Sequence, residues 1–175
     1  MVTDVRVGLD EVRAAPADDG VLELIARRPA VDERELLEEG ALDVERGFVG
    51  DTWSVRGSRP NPKAQVTLMN ARAAALVAGE RDRWALAGDQ LYVDLDLSVE
   101  NLPPGTRLRV GTALLEVSDQ PHLGCKKFKA RFGGDALRFV NSRLGRQLRL
   151  RGVNTSVVEG GKVCVGDAVR RATES

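Results

Sequence analysis

The chain has 175 residues, of which 42% are hydrophobic and 30% charged, as is ordinary for a soluble globular protein. Its aromatic content of 4% argues against a surface that stacks nucleic-acid bases, and its formal net charge of zero gives no overall field toward nucleic acid or an anionic membrane. The length suits one well-cored domain, so we predict a single domain over residues 1–175.

Charge is nevertheless separated along the chain. Residues 1–50 carry thirteen acidic side chains against six arginines, an excess of seven negative charges. Residues 126–151 carry nine lysines and arginines against one aspartate, an excess of eight positive charges. Any charge-based binding therefore has to come from local patches.

The sequence predicts a cytoplasmic protein. The N-terminus shows no basic start followed by an apolar run and a small-residue cleavage site, the pattern of an export signal. No stretch approaches the roughly 18 consecutive apolar residues that a membrane helix requires. In a reducing compartment, Cys125 and Cys164 are expected to be free thiols unless they carry out redox or sulfur chemistry.

The first predicted elements are two antiparallel strands, at residues 2–9 and 20–29, separated by a turn. Next comes a short acidic helix at residues 31–40, because Asp32 can serve as its N-cap and Glu35 can complete a capping box. This part of the chain is therefore expected to combine one strand pair with one helical turn or two.

A loop is predicted at residues 45–64, which contain three glycines, two prolines and no sustained periodicity. Loops longer than about 12–15 residues in compact domains tend to be functional or disordered. A strand at 64–70 follows, then an alanine-rich helix from residue 71 that Gly79 weakens. Alternating apolar and polar residues predict a further strand at 91–102.

The C-terminal half reads as short strands with one helix. Residues 106–111 and 112–119 alternate in polarity around Gly111, which indicates a hairpin. Residues 133–145 predict an amphipathic helix with Asp135 as its cap. Two short strands then flank a glycine turn at 159–161, and a second turn precedes a final apolar segment. Many short strands with few helices favour a β-barrel or a β-sandwich.

Cys125 is the candidate reactive residue. It follows the predicted hairpin directly, where a rigid scaffold can hold a reactive group. Thiolate is the reactive form of cysteine, and nearby cations favour it; four of them follow in sequence: Lys126, Lys127, Lys129 and Arg131. The alternative is that these cations form a solvated face and Cys125 only packs.

Other chemistries find weaker support. His122 and Cys125 could both bind zinc, but such a site needs three or four ligands and the chain has no second histidine. There is no Gly-x-Ser-x-Gly elbow for a serine nucleophile and no glycine-rich phosphate loop. His122 is therefore predicted to be a turn residue, Cys164 a structural residue within a strand, and no metal site is expected.

Five segments together resemble the MOSC domain, the module named for the C-terminal part of molybdenum cofactor sulfurases. They occur in family order at residues 45–51, 65–69, 99–102, 108–128 and 151–170. The resemblance implies a mainly β (α+β) fold, with a MOSC-type β-barrel related to the barrel domain of pyruvate kinase and a few short peripheral helices. The cysteine that the family carries after its long hairpin falls on Cys125.

The resemblance also implies a function. A stand-alone MOSC protein would handle sulfur or the molybdenum cofactor (molybdopterin), with Cys125 carrying or transferring persulfide sulfur or contacting the metal end of the cofactor. Arginines and lysines would bind the phosphate of its pterin. The residues expected at the cofactor are Lys126, Lys127, Arg131, Asn101, Asp51 and Arg59.

Departures from the family leave alternatives open. Thr52 follows Asp51 where relatives often have a histidine, and Gly124 precedes Cys125 where proline is common. The chain also lacks a sulfurase domain, so a cysteine desulfurase or a molybdoenzyme would have to donate or accept sulfur. The protein is alternatively the molybdenum-cofactor-binding component of a reductase acting on N-hydroxylated bases, or a non-catalytic module that docks an acidic partner. Whether it is an enzyme stays open.

Overall fold

The strands and helices are taken from a computed structural model that describes residues 4–55, 57 and 60–173. The strands of these residues are β1 (Gly20–Arg27), β2 (Glu35–Leu37), β3 (Glu39–Asp43), β4 (Gly47–Phe48), β5 (Val66–Asn70), β6 (Leu91–Asp94), β7 (Arg107–Val110), β8 (Ala113–Val117), β9 (Val153–Glu159), β10 (Gly161–Cys164) and β11 (Ala168–Arg171).

The helices are short and lie between these strands. The α-helices are α1 (Val5–Arg13), α2 (Ala71–Ala78), α3 (Lys126–Phe132), α4 (Gly134–Asn141) and α5 (Arg143–Leu148). Three 3-10 helices cover Thr52–Val55, Pro62–Ala64 and Arg81–Ala87. Among the described residues, none of the helices has both the length and the apolar character that a membrane span requires.

Seven of the described strands close into a barrel. Around the ring the order is β1, β11, β7, β8, β9, β5, β6 and back to β1, and β2 extends the sheet from β1. The β5–β6 pair is parallel and the other pairs of the ring are antiparallel. At the closure, a Cβ on Gly20 would lie 2.2 Å from the backbone oxygen of Asp94, so only glycine permits this approach. The predicted barrel is confirmed.

The core fills the barrel interior with branched aliphatic side chains. Leu22, Leu68, Leu91, Leu108 and Leu115, each from a different strand of the ring, are fully buried in one cluster. Burial of a leucine side chain is worth about 1.5–3 kcal/mol, so this cluster supplies a large share of the driving force for closure.

Two further apolar clusters attach the helices to the outside of the barrel. In one, alanines of α2 pack with Trp84 and Tyr92. In the other, Val12 of α1 and Leu76 of α2 share a cluster with Phe128 of α3 and Val140 of α4. The helices α3 to α5 are thereby fixed next to the end of β8, where the site described below lies.

Two predicted elements at the N-terminal end are wrong. The segment predicted as a strand at 2–9 lies in α1 from Val5 onward, because the Asp4 side chain accepts hydrogen bonds from the backbone of Arg6 and Val7 and caps a helix. The predicted helix at 31–40 is a turn followed by β2 and the start of β3. Gly40 does not end a helix; a Cβ there would lie 2.4 Å from Phe48 Cζ.

Other predictions hold in part. The strand at 20–29, the strand at 64–70, the hairpin around Gly111 and the helices α2 and α4 are all present. Asp135 lies in the first turn of α4 and is not its N-cap. The strand predicted at 91–102 ends at Asp94, because Asp96 accepts a hydrogen bond from the backbone of Ser98 and starts a turn.

Candidate functional site

The segment that connects β8 to α3 carries both His122 and Cys125. Asn154 of β9 holds its beginning by donating hydrogen bonds to the carbonyl oxygens of Gln120 at 3.1 Å and Pro121 at 3.3 Å. Cys125 is the N-cap residue of α3 in extended backbone conformation. The segment is therefore fixed by a barrel strand at one end and a helix at the other.

The exposed Cys125 lines a cavity of about 380 Å³. Small-molecule sites in proteins typically have volumes of about 300–1,000 Å³, so the cavity is large enough for a cofactor. Its wall is rich in positive charge, and the cationic residues that line it are Arg28, Arg34, Lys127, Arg131 and Arg151. One carboxylate, Asp32, also lines the cavity and forms ion pairs with Arg131 at 3.5 Å and Lys127 at 4.0 Å.

Arg28 is held in place by Asp51. The Asp51 carboxylate accepts hydrogen bonds from Arg28 Nη2 at 2.8 Å, Nε at 3.1 Å and the backbone N–H at 2.8 Å. Burial alone would raise the pKa of Asp51, but its hydrogen bonds and the charge of Arg28 lower the pKa below its ordinary value. Asp51 is consequently a buried anion that positions a cavity arginine.

Arg34 and Arg131 are anchored by backbone carbonyls. Arg34 Nε donates to Ala85 at 3.2 Å, and Arg131 Nη1 donates to Leu86 at 2.9 Å. Partial burial lowers the pKa of Arg34, and the charges of Arg131 and Arg28 lower it further. Repulsion among these guanidinium groups would be relieved by a bound anion, which arginine recognises through charge-assisted hydrogen bonds.

The Cys125 thiol is tuned toward the thiolate. Partial burial raises its pKa, but the backbone N–H groups of Phe128 and Lys127 and the charges of Arg151 and Arg131 outweigh this effect. The pKa is lowered overall from the ordinary thiol value. A thiolate at this position is both a better nucleophile and a better metal ligand than a thiol.

A buried ion network lies behind Cys125. The side chain of Asp89 is fully buried and accepts from Arg151 Nη1 at 2.5 Å and from His122 Nε2 at 2.8 Å. Arg151 also donates to the Ala87 carbonyl at 2.7 Å, and its guanidinium lies over the Phe128 ring at 5.2 Å. Burial raises the pKa of Asp89, but Arg151 and His122 lower it to about 2.

Sequence reasoning missed this network and part of the cavity wall. His122 is a bonded, largely buried imidazole and more than a turn residue. Asp89 stands in a segment without any pattern, and Arg28 belongs to the acidic N-terminal part of the chain. Pairings across more than 20 residues, such as Arg28 with Asp51 or Arg151 with Asp89, leave no local signal.

The structure brings together some of the predicted site residues. Cys125, Lys127 and Arg131 line the same cavity, and Asp51 lies behind Arg28. The other described candidates do not line that cavity: Lys126 is exposed to solvent, and the Asn101 side chain donates to the carbonyls of Ala17 and Asp96. The prediction for Arg59 falls outside the described residues.

Comparison with known proteins identifies the family. The MOSC domain model matches residues 61–170. Among similar solved structures, the YuaD protein from Bacillus subtilis is 16% identical with a TM-score of 0.65, over 89% of this chain and 97% of that chain. YiiM from Escherichia coli is 21% identical with a TM-score of 0.59, over 89% of this chain and 71% of that chain.

YiiM from Geobacillus stearothermophilus is 14% identical with a TM-score of 0.55, over 90% of this chain and 74% of that chain. At these identities, the likeness to solved structures shows the fold alone. The curated protein sequences contain no match. The family match covers more than half of the chain and agrees with the barrel described above, so the chain belongs to the MOSC domain family.

Proposed function

We propose that the protein binds a molybdenum cofactor in the Cys125 cavity and that Cys125 carries sulfur there as a persulfide. The observation that carries this proposal is the exposed Cys125 thiol, with its lowered pKa, in a cavity of about 380 Å³ walled by five cationic side chains. Membership of the MOSC domain family supports the choice of cofactor.

The donor set of the cavity fits this group. Arg28, Arg34 and Arg131 would hold the phosphate, because guanidinium groups match phosphate oxygens in charge and in hydrogen-bond geometry. Cys125 would face the metal end, because soft thiolate ligands suit metals that bind sulfur. When bound, the cofactor would supply a metal centre that exchanges sulfur and oxygen ligands. Lys127 would add positive charge at the rim.

The sulfur-carrying step needs only the thiolate and a persulfide donor. The Cys125 thiolate attacks the outer sulfur of the donor persulfide, the donor's S–S bond breaks, and the donor leaves as a thiolate. Cys125 then carries one extra sulfur atom, and no oxidant or reductant is consumed. Arg131 and Arg151 stabilise the anionic sulfur before and after this exchange, because both already favour the thiolate. A cysteine desulfurase or a molybdoenzyme is the proposed donor or acceptor.

Cofactor binding is tested on protein purified from a molybdate-fed host, by measuring molybdenum and the fluorescence of the oxidised pterin. We expect both in the wild type and a loss of at least tenfold in the double variant Arg34→Gln/Arg131→Gln. Arg138→Gln is the matched control, because Arg138 is exposed, pairs with Asp135 and does not line the cavity among the described residues. Folded wild-type protein without molybdenum and pterin would overturn the proposal.

Sulfur transfer is tested by incubating the protein with a cysteine desulfurase and cysteine and then measuring its intact mass. We expect a gain of one sulfur atom in the wild type and in Cys164→Ser, and no gain in Cys125→Ser. Equal adducts in all three proteins would exclude Cys125 as the carrier. If the protein binds the cofactor but gains no sulfur, the result would favour a cofactor-binding component of a reductase. If it neither binds the cofactor nor gains sulfur, the result would favour a non-catalytic binding module.

A further inference from the structure

A second cavity adjoins the Cys125 cavity. Its volume is about 320 Å³, and it shares His122, Leu123 and Arg151 with the first. The remainder of its wall comes largely from apolar or small residues, among them Val140 and Gly145. Leu123 is 40% exposed, and an apolar molecule bound in this cavity would cover it.

The polar groups of this wall are mostly satisfied within the protein. Arg149 Nη1 donates to the carbonyls of Leu97 at 3.1 Å and Leu102 at 2.6 Å. Arg151 uses both terminal nitrogens on Asp89 and Ala87, whereas its Nε is buried without a hydrogen-bond partner among the described residues. Arg146 Nε likewise donates to the Asn141 carbonyl at 2.9 Å, and Asp119 adds a carboxylate to this wall, so an anion is a poorer fit here than a largely uncharged molecule.

Asp89 fixes the tautomer of His122. The pKa of Asp89 is about 2, so at neutral pH its carboxylate can only accept, and Nε2 of His122 must carry the proton. Burial and the charge of Arg151 lower the pKa of His122 despite Asp89, so the imidazole is neutral. Nδ1 then holds a lone pair, and no side chain or backbone group of the described residues is hydrogen bonded to it.

We propose that the second cavity binds a small, largely apolar organic molecule that carries an N–H donor, and that His122 Nδ1 accepts this donor. Apolar walls with a few placed polar groups are the usual composition of such sites. The donor gives specificity, because a ligand without it would leave a partly buried acceptor unpaired. The site lies beside the Cys125 cavity, but its binding does not depend on whether a cofactor occupies that cavity.

The test uses nitrogen-15 NMR of the full chain with indole as the probe and 1-methylindole, which has no N–H, as its matched control. His122 is the only histidine in the sequence, so its imidazole signals are unambiguous. We expect protonated Nε2 and unprotonated Nδ1 before any addition. Indole should then shift Nδ1 and the amides of Leu123, Gly145 and Val153, whereas 1-methylindole should bind at least fivefold more weakly and leave Nδ1 unchanged.

Two variants test separately the contribution of the cavity volume and that of the Nδ1 acceptor to indole binding. Leu123→Trp should fill the cavity and remove the shifts caused by indole. His122→Phe should abolish the preference for indole over 1-methylindole. Amides of the groove between α1 and α2, at Val7 and Leu76, serve as the comparison surface. A protonated Nδ1, equal binding of both probes, or shifts confined to the α1–α2 groove would overturn the proposal; the wild-type spectra decide this even if a variant fails to fold.

Discussion

The side chain of Asn141 forms two hydrogen bonds with the backbone of Gly124. Its Oδ1 accepts from the Gly124 N–H at 2.8 Å, and its Nδ2 donates to the Gly124 carbonyl at 3.1 Å. Asn141 is the last residue of α4, so this helix fixes the residue immediately before Cys125. The position of the thiol is therefore set by α4 as well as by α3.

Asn141→Ala removes both hydrogen bonds and leaves the Gly124 N–H without its partner. We expect the free energy of unfolding to fall by about 1–3 kcal/mol, the cost of an unpaired buried polar group. The pH midpoint for alkylation of Cys125 should also rise, because the thiol is no longer held against the N–H groups of α3. Urea unfolding and iodoacetamide rates, both in a Cys164→Ser background, measure the two effects. An unchanged midpoint in Asn141→Ala would contradict this positioning role.

A side chain on Gly124 would press against side chains of α4. A Cβ there would lie 2.7 Å from Leu137 Cδ1 and 3.1 Å from Val140 Cγ2. Gly124→Ala should therefore cost about 1–3 kcal/mol through overpacking against α4. In Gly134→Ala the new Cβ meets its nearest atom at 3.4 Å, and alanine favours a helix, so this control should be neutral or slightly stabilising. Thermal unfolding compares the two; equal stabilities would show that α4 moves aside freely.

Arg131 contributes to the low pKa of the Cys125 thiol. Removing its charge in Arg131→Gln should shift the pH midpoint of Cys125 alkylation upward, toward that of a free cysteine. Arg138→Gln removes one positive charge of the same segment outside the cavity wall, and its midpoint should stay at the wild-type value. Similar shifts in both variants would mean that long-range charge alone controls the thiol.

Asp89 makes the fold sensitive to acid. Its pKa is about 2 in the folded protein, against an ordinary value of 3.8, so its contribution to stability is complete above pH 4 and is lost as the pH falls through 2. The contribution is of the order of 2 kcal/mol. Denaturant unfolding of the wild type at several pH values in this range should show the loss of unfolding free energy. Asp89→Asn should lack the share of this loss that comes from protonation of Asp89.

Asp89→Asn also leaves the buried Arg151 charge without its partner, so this variant should be less stable at neutral pH by about 3–5 kcal/mol. Asp135→Asn changes an exposed aspartate, and it should keep both the neutral stability and the acid slope of the wild type. The prediction fails if the two variants have the same acid slope.

His122 is a base, whereas Asp89 is an acid, but His122 should also make the folded protein less stable as the pH falls. Its pKa is lowered from 6.5 in the folded protein, so below that pH the unfolded chain takes up a proton that the fold resists. Stability should accordingly decline as the pH drops below 6.5, and this decline should be absent from His122→Gln. Unfolding free energies between pH 8 and 5 check it; identical slopes in both proteins would show that His122 is protonated freely in the fold.

The sequence alone determined several strands and the placement of the cysteine. Alternating polarity marked the β7–β8 hairpin, because a strand with one buried face repeats every two residues whatever its partners are. Cys125 could be placed after that hairpin for the same reason. The alternation of apolar and polar residues at 2–9 predicted a strand where the structure has α1. The Asp4 cap and the packing of Val12 against α2 favour a helix there.

Long-range contacts of the folded chain select the charges that surround the thiol. Closure of the barrel brings the ends of distant strands together, so that Arg28 and Arg151 meet beside Cys125 although they are far apart in sequence. The sequence predicted cations from the residues directly after Cys125, whereas Arg28 and Arg34 of the cavity wall come from the acidic N-terminal part of the chain. Asp89 and Arg151 are 62 residues apart, and their pairing depends on burial that the chain acquires only when the barrel closes.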